Sequence, residues 1–172
     1  MTWESIRPGV WRFRDSCNVY AIRGPAGLLI INAGTGRWLD SDLPGKPIAL
    51  ALTHEFRDHA AGAVHAKLPV FVPEHAADIL ADPAEHFRRR ETYIIYDNIW
   101  DLFVPIEPIP VAGVLRDYDR PTLAGLVCEI IPLPGVSFMQ SGLAVTVNGE
   151  KLVFCGEAIH SPGRLARVAP LQ

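Results

Sequence analysis

Hydrophobic and polar positions divide the chain into short strands, then a strand–helix alternation, then strands again. Val10-Trp11-Arg12-Phe13, residues 18–23 and residues 27–32 read as strands separated by turn residues. The run Ile48-Ala49-Leu50-Ala51-Leu52 is apolar at every position, the signature of a strand covered on both faces. Helical segments are predicted near 38–43, over 60–68, over 73–80 with Pro73 in the first turn, and over 83–100; a short strand falls at 70–72. Residues 103–121 are proline-punctuated and read as an irregular crossing loop or lid. Strands return at 125–132, 143–147 and 152–155, the last two joined by an Asn148-Gly149 hairpin turn. This order predicts an α/β protein with two mixed sheets and helices outside them, in one domain over 1–172.

Composition narrows the partners. A net charge of -3 leaves no concentrated basic surface, so nucleic acid is not expected. The one basic run, Arg88-Arg89-Arg90, sits with Glu85 and Glu91 on a helical segment and reads as a solvated face. No apolar run approaches the ~20 residues of a membrane span, and Met1-Thr2-Trp3-Glu4 lacks the pattern of a signal peptide. Cys17, Cys128 and Cys155 are odd in number and widely spaced, which suits reduced thiols in a cytoplasmic protein.

Candidate chemistry gathers in Thr53-His54-Glu55-Phe56-Arg57-Asp58-His59, directly after the buried strand. His, Asp and His in a loop at a strand end are potential metal ligands. The bland alternative is that His54 is a hydrogen-bonded loop residue while Asp58 and His59 cap the following helix. No nucleophile elbow, phosphate loop or dinucleotide fingerprint is present.

Four blocks then carry a resemblance: Asn32-Ala33-Gly34, Thr53-His54 through His59-Ala60-Ala61-Gly62, Leu133-Pro134-Gly135, and Phe154-Cys155-Gly156-Glu157. Their order resembles the metallo-β-lactamase fold superfamily, whose pattern runs D-x-G, T-H-x-H-x-D-H-x-x-G, T-P-G-H-T, then a strand ending in G-D. The resemblance spans about residues 10–163 and implies an αββα sandwich. It also implies the site: His54, Asp58, His59 and Glu157 as metal ligands, with Asp58 orienting or deprotonating the attacking water. Zinc is the metal implied, with iron or manganese as other options. The substrate would be a small molecule carrying an ester, thioester, amide or phosphoester.

Each block also departs from that pattern. Asn32 stands for Asp, Phe56 for the middle His, Val136 for the His after Pro-Gly, and Glu157 for the last Asp; the family's final His has no counterpart. One of three histidines in the first ligand set survives, so at most one ion is expected. Phe56 and Val136 suggest an apolar plug where the first metal would sit, and His160 is the one substitute ligand within reach. The expected function is a metallo-β-lactamase-like hydrolase domain with a degenerate, at most mononuclear site and impaired or absent activity. Two alternatives stand beside it: a non-catalytic domain of this fold used for binding or assembly, or a fragment of a longer hydrolase. An incomplete C-terminal end would leave a sheet edge open for a homodimer partner or a missing C-terminal domain.

Overall fold

A computed structural model of the chain describes residues 2–92, 103–161 and 164–165. The chain opens with four antiparallel strands, β1 (Glu4–Arg7), β2 (Val10–Arg14), β3 (Asn18–Gly24) and β4 (Gly27–Ile31). Three parallel strands extend the same sheet: β5 (Pro47–Ala51), β6 (Val70–Pro73) and β7 (Val111–Leu115). The seven strands lie in sequence order. Between them run 3-10 turns at Arg37–Asp40, Ala61–His65 and Glu74–Ala76, and the helices α1 (Arg57–Ala60), α2 (Ala77–Ala81) and α3 (Pro83–Thr92). A second, antiparallel sheet has the order β11-β10-β9-β8, built from β8 (Thr122–Leu123), β9 (Leu126–Pro132), β10 (Ser141–Val147) and β11 (Glu150–Phe154). A short pair, β12 (Ile159–Ser161) and β13 (Arg164–Leu165), follows.

Why the central runs are apolar throughout is now visible. Leu28, Ile30, Leu50 and Leu52 point to one face, where they pack with Trp38, Ala60, Ala76 and Leu80 from the helical layer. Leu29, Ile31, Ala49 and Ala51 point to the other, against Cys128, Ile130, Leu143, Val145 and Phe154 of the second sheet. Side chains alternate with a period of two, so a strand between two cores has no polar position to spare. The far face of the second sheet carries Glu129 paired to Lys151 at 2.7 Å, with Val127 and Val153 about half exposed. Three layers are thus described: helices, sheet, sheet. Among the described residues no helix is long and apolar enough to cross a membrane.

Several expectations need correction. The stretch 103–121 is not wholly irregular: it contains β7, the parallel edge strand of the large sheet, paired to β6. Its Gly113 lies under the ring of Phe71, 3.0 Å from where a Cβ would stand. β1 was also absent from the pattern of the sequence, because Ile6 is its single large apolar residue; pairing to β2, with Arg12 on Glu4 at 2.7 Å, holds it. The helical turn after the His/Asp loop starts at Arg57 rather than at 60. The predicted helix over 83–100 is seen as far as Thr92, and its second half lies outside the described residues. The Asn148-Gly149 turn has φ values of 51° and 81°, the paired positive angles of a type I′ hairpin.

Candidate metal centre

The four sequence blocks meet around Thr53. Strand β4 is followed by Asn32, buried at φ 60°, a left-handed conformation that asparagine tolerates better than most residues. From there its Oδ1 accepts hydrogen bonds from the Thr53 N–H and the Thr53 hydroxyl, both at 3.0 Å. The Thr53 carbonyl accepts from the Ser141 N–H at 2.8 Å, tying in the loop after Leu133-Pro134-Gly135. Gly156, at φ 55°, presses against the same residue: a Cβ there would lie 2.9 Å from Thr53 Oγ1. Blocks far apart in the chain are therefore joined through Thr53, the first residue of the second block.

The Gly-rich turn serves the helix that follows the loop. Ala33 and Gly34 donate their N–H groups to the His59 carbonyl at 2.7 and 3.2 Å, and Gly62 donates to the Gly34 carbonyl at 2.8 Å. A Cβ on Gly62 would meet the Ala33 carbonyl oxygen at 2.4 Å, so only glycine permits this approach. Asp15, between β2 and β3, braces the assembly by accepting from the Thr35 hydroxyl at 2.6 Å and from the Ser16 and Arg37 N–H groups. Ser16 in turn donates its hydroxyl to the Asp58 carbonyl at 2.6 Å. Asp15 did not stand out in the sequence, and Thr53 did so only as the first residue of the Thr53-His54 block, with no role assigned to it.

Against that frame His54, Asp58 and His59 come together, with one ligating atom of each within 4.8 Å of the others. The imidazoles of His54 and His59 stack at 4.2 Å between centroids, tilted by 49°. Asp58 Oδ2 lies 3.2 Å from His59 Nδ1. His54 is fully buried and His59 nearly so, and among the described residues His54 Nε2 and His59 Nδ1 lack a hydrogen-bond partner of good geometry. Burial, together with the neighbouring His59, pushes the His54 pKa down to about 3, so its ring is neutral at pH 7. Burial alone would raise Asp58, but contact with His59 and the proximity of both imidazoles outweigh it, holding the carboxyl below the ordinary carboxylate range.

Of the bland alternative, the hydrogen-bonded His54 is seen, its Nδ1 lying 2.9 Å from Thr53 Oγ1, whereas the capping by Asp58 and His59 is not. Asp58 sits inside α1, the cap position is Phe56, and no side chain caps the helix. Glu157 is not in the three-residue group; it lines a cleft of about 480 Å³ together with Asn32, His59, Tyr20 and Cys17. The His160 side chain lies outside the described residues. Phe56 is buried, its ring 5.2 Å from that of His54 in an edge-on contact and 6.2 Å from that of Phe103. Val136, expected as the other half of an apolar plug, is only half-buried. Cys17, on the cleft wall, is pushed up to about 12 by burial and nearby carboxylates, so it remains a thiol.

A buried imidazole nitrogen without a partner, as His54 Nε2 is among the described residues, is costly, at about 1–3 kcal/mol for an unsatisfied group. One ligating atom each from His54, Asp58 and His59 lies within reach of a shared cation, so the donor set fits a metal ion.

Comparison with known proteins agrees on the fold. The chain is similar to the HARLDQ-motif metallo-β-lactamase of Cronobacter sakazakii, with 20% identity, a TM-score of 0.67, and 90% of this chain matched to 64% of that one. Native FEZ-1 metallo-β-lactamase of Legionella gormanii gives 18%, 0.68, 95% and 66%. BJP-1, a subclass B3 metallo-β-lactamase of Bradyrhizobium japonicum, gives 16%, 0.66, 93% and 64%. The chain therefore has the metallo-β-lactamase fold. It spans just under two thirds of the length of these structures. No protein-family model matches the sequence, and no curated protein matches it. The letters HARLDQ, like His54-Glu55-Phe56-Arg57-Asp58-His59, place His first and Asp fifth with no His third.

Proposed function

We propose that the chain is a metallo-β-lactamase-like hydrolase domain holding a single metal ion on His54, Asp58 and His59. One observation carries the reading: these three groups each bring one ligating atom within 4.8 Å of the others, and the buried His54 Nε2 has no hydrogen-bond partner among the described residues. Two imidazoles and a carboxylate form a three-ligand set of the kind zinc uses in catalytic sites, and iron or manganese accept the same donors. Glu157, on the wall of the adjoining cleft, is the carboxylate available to join them. When bound, such an ion supplies Lewis acidity and lowers the pKa of water.

The chain's own residues supply the rest. His54 offers a neutral ring, so no proton has to leave it before it acts as a ligand. Asp58, held ionised, accepts a hydrogen bond from the attacking water and orients it. Phe56 seals the side where another imidazole would stand, which limits the site to one ion. The cleft beside His59 has room for a small ester, thioester or amide.

The buried edge-on contact of Phe56 with His54 also favours a second reading, a non-catalytic domain in which packing has replaced the metal. Thermal melting in zinc and in chelator separates the two, because a ligand that binds the folded state raises its stability by mass action. Under the metal reading zinc raises the melting temperature and chelator lowers it, and an ester and thioester panel is turned over. Indifference to both additives would leave the packing reading.

A further inference from the structure

We propose that Asn32 and Thr53 are positioning residues that fix the tautomer of His54, placing the proton on Nδ1 and the lone pair on Nε2. The use made of that lone pair rests on the metal reading above; the relay itself rests only on hydrogen-bond direction.

A backbone N–H can only donate, so the Asn32 atom that faces the Thr53 N–H at 3.0 Å is the carbonyl oxygen. That oxygen also stands 3.0 Å from Thr53 Oγ1. An amide oxygen cannot donate, hence the hydroxyl proton points to Asn32. Threonine has one such proton. Its oxygen, 2.9 Å from His54 Nδ1, is left with lone pairs and must accept there. The proton between them therefore belongs to Nδ1, and Nε2 is the bare nitrogen. Asn32, Thr53 and His54 are 3%, 0% and 0% exposed, so solvent does not re-route the chain of bonds. A Cβ on Gly156 would stand 2.9 Å from Thr53 Oγ1, so the glycine keeps the space beside this hydroxyl free of a side chain.

Asparagine suits the first place in this relay on two counts. It tolerates φ 60°, and its oxygen takes both protons of Thr53 without adding charge. Where the family pattern carries Asp, the same orientation would be imposed with a negative charge as well. This chain keeps the orientation and drops the charge.

Histidine tautomers are read directly by long-range 15N–1H correlation spectra of metal-free, 15N-labelled protein at neutral pH. The expected result is His54 protonated at Nδ1 in the wild type and in Asn32→Asp. In Asn32→Gly, which fits the left-handed backbone, the Thr53 hydroxyl is released to donate to Nδ1 and the ring proton moves to Nε2. Zinc affinity, from competition with a chelating dye, should fall about 10–100-fold in Asn32→Gly and hold in Asn32→Asp, the usual effect of losing an outer partner of a ligating histidine. Should Asn32→Gly not fold, Thr53→Ser is expected to keep the Nδ1–H form and Thr53→Val to lose it. Protonation at Nε2 in the wild type, or Nδ1–H persisting in Asn32→Gly or in Thr53→Val, would overturn the relay. Tautomers as expected with no zinc binding in any variant would uphold the relay and refute the metal site instead.

Discussion

Replacing Phe56 with histidine would put an imidazole back where the family pattern has one, and the structure sets what this should cost and return. Phe56 is 6% exposed and packs edge-on against His54 at 5.2 Å. Burying such a ring stabilises a fold by about 1.5–3 kcal/mol. An imidazole there gives up much of that and adds a buried polar group, for a loss of about 3 kcal/mol without metal. In a chain of this size each kcal/mol moves the melting temperature by about 2–4 °C, so Phe56→His in chelator should melt about 6–12 °C below wild type. Zinc at a hundred times its dissociation constant returns about 2.7 kcal/mol, most of the deficit. The assay is calorimetry of both proteins with chelator and with graded zinc. Equal melting temperatures in chelator would refute the claim that Phe56 packs the site. A zinc-induced rise no larger than that of wild type would refute the claim that position 56 faces the ion.

Other consequences follow from the frame around the site. Asp15→Asn weakens the acceptor that braces the Gly-rich turn, and is expected to cost about 1 kcal/mol at pH 7 in urea denaturation. Burial would raise the Asp15 carboxyl, but hydrogen bonds from Thr35, Ser16 and Arg37 hold it below its ordinary 3.8; its contribution is present above that value and lost as pH falls through the lowered one. The gap between Asp15→Asn and wild type should therefore close in strong acid. Gly62→Ala forces a methyl group onto the Ala33 carbonyl and should destabilise by about 1–3 kcal/mol, read as a lower denaturation midpoint at unchanged slope.

What could be read from the residues alone divides along physical lines. Strands β4 and β5 were legible because each lies between two cores, which demands an apolar residue at every position. The Asn148-Gly149 turn was legible because few residue pairs accept two positive φ angles. β1 and β7 were hidden: each is an edge strand of four or five residues held by a partner rather than by its own pattern. At the site, His54, Asp58 and His59 announced themselves by type and spacing. The roles of Thr53 and Asp15 did not, because they come from contacts across 21 and 20 residues of chain that only the fold creates. The absence of a histidine at position 56 was plain in the sequence, whereas the sealing of the site by Phe56, with Val136 left half-buried, required the packing to be seen.

The central claim is that His54, Asp58 and His59 form a site for one metal ion. Elemental analysis of untagged protein, dialysed against zinc and then against metal-free buffer, tests it most directly, with His59→Ala measured alongside. About one ion should be retained per wild-type chain and none in His59→Ala, as expected when one of three ligands is removed. Wild-type protein that retains no ion, or His59→Ala that retains as much as wild type, would contradict it.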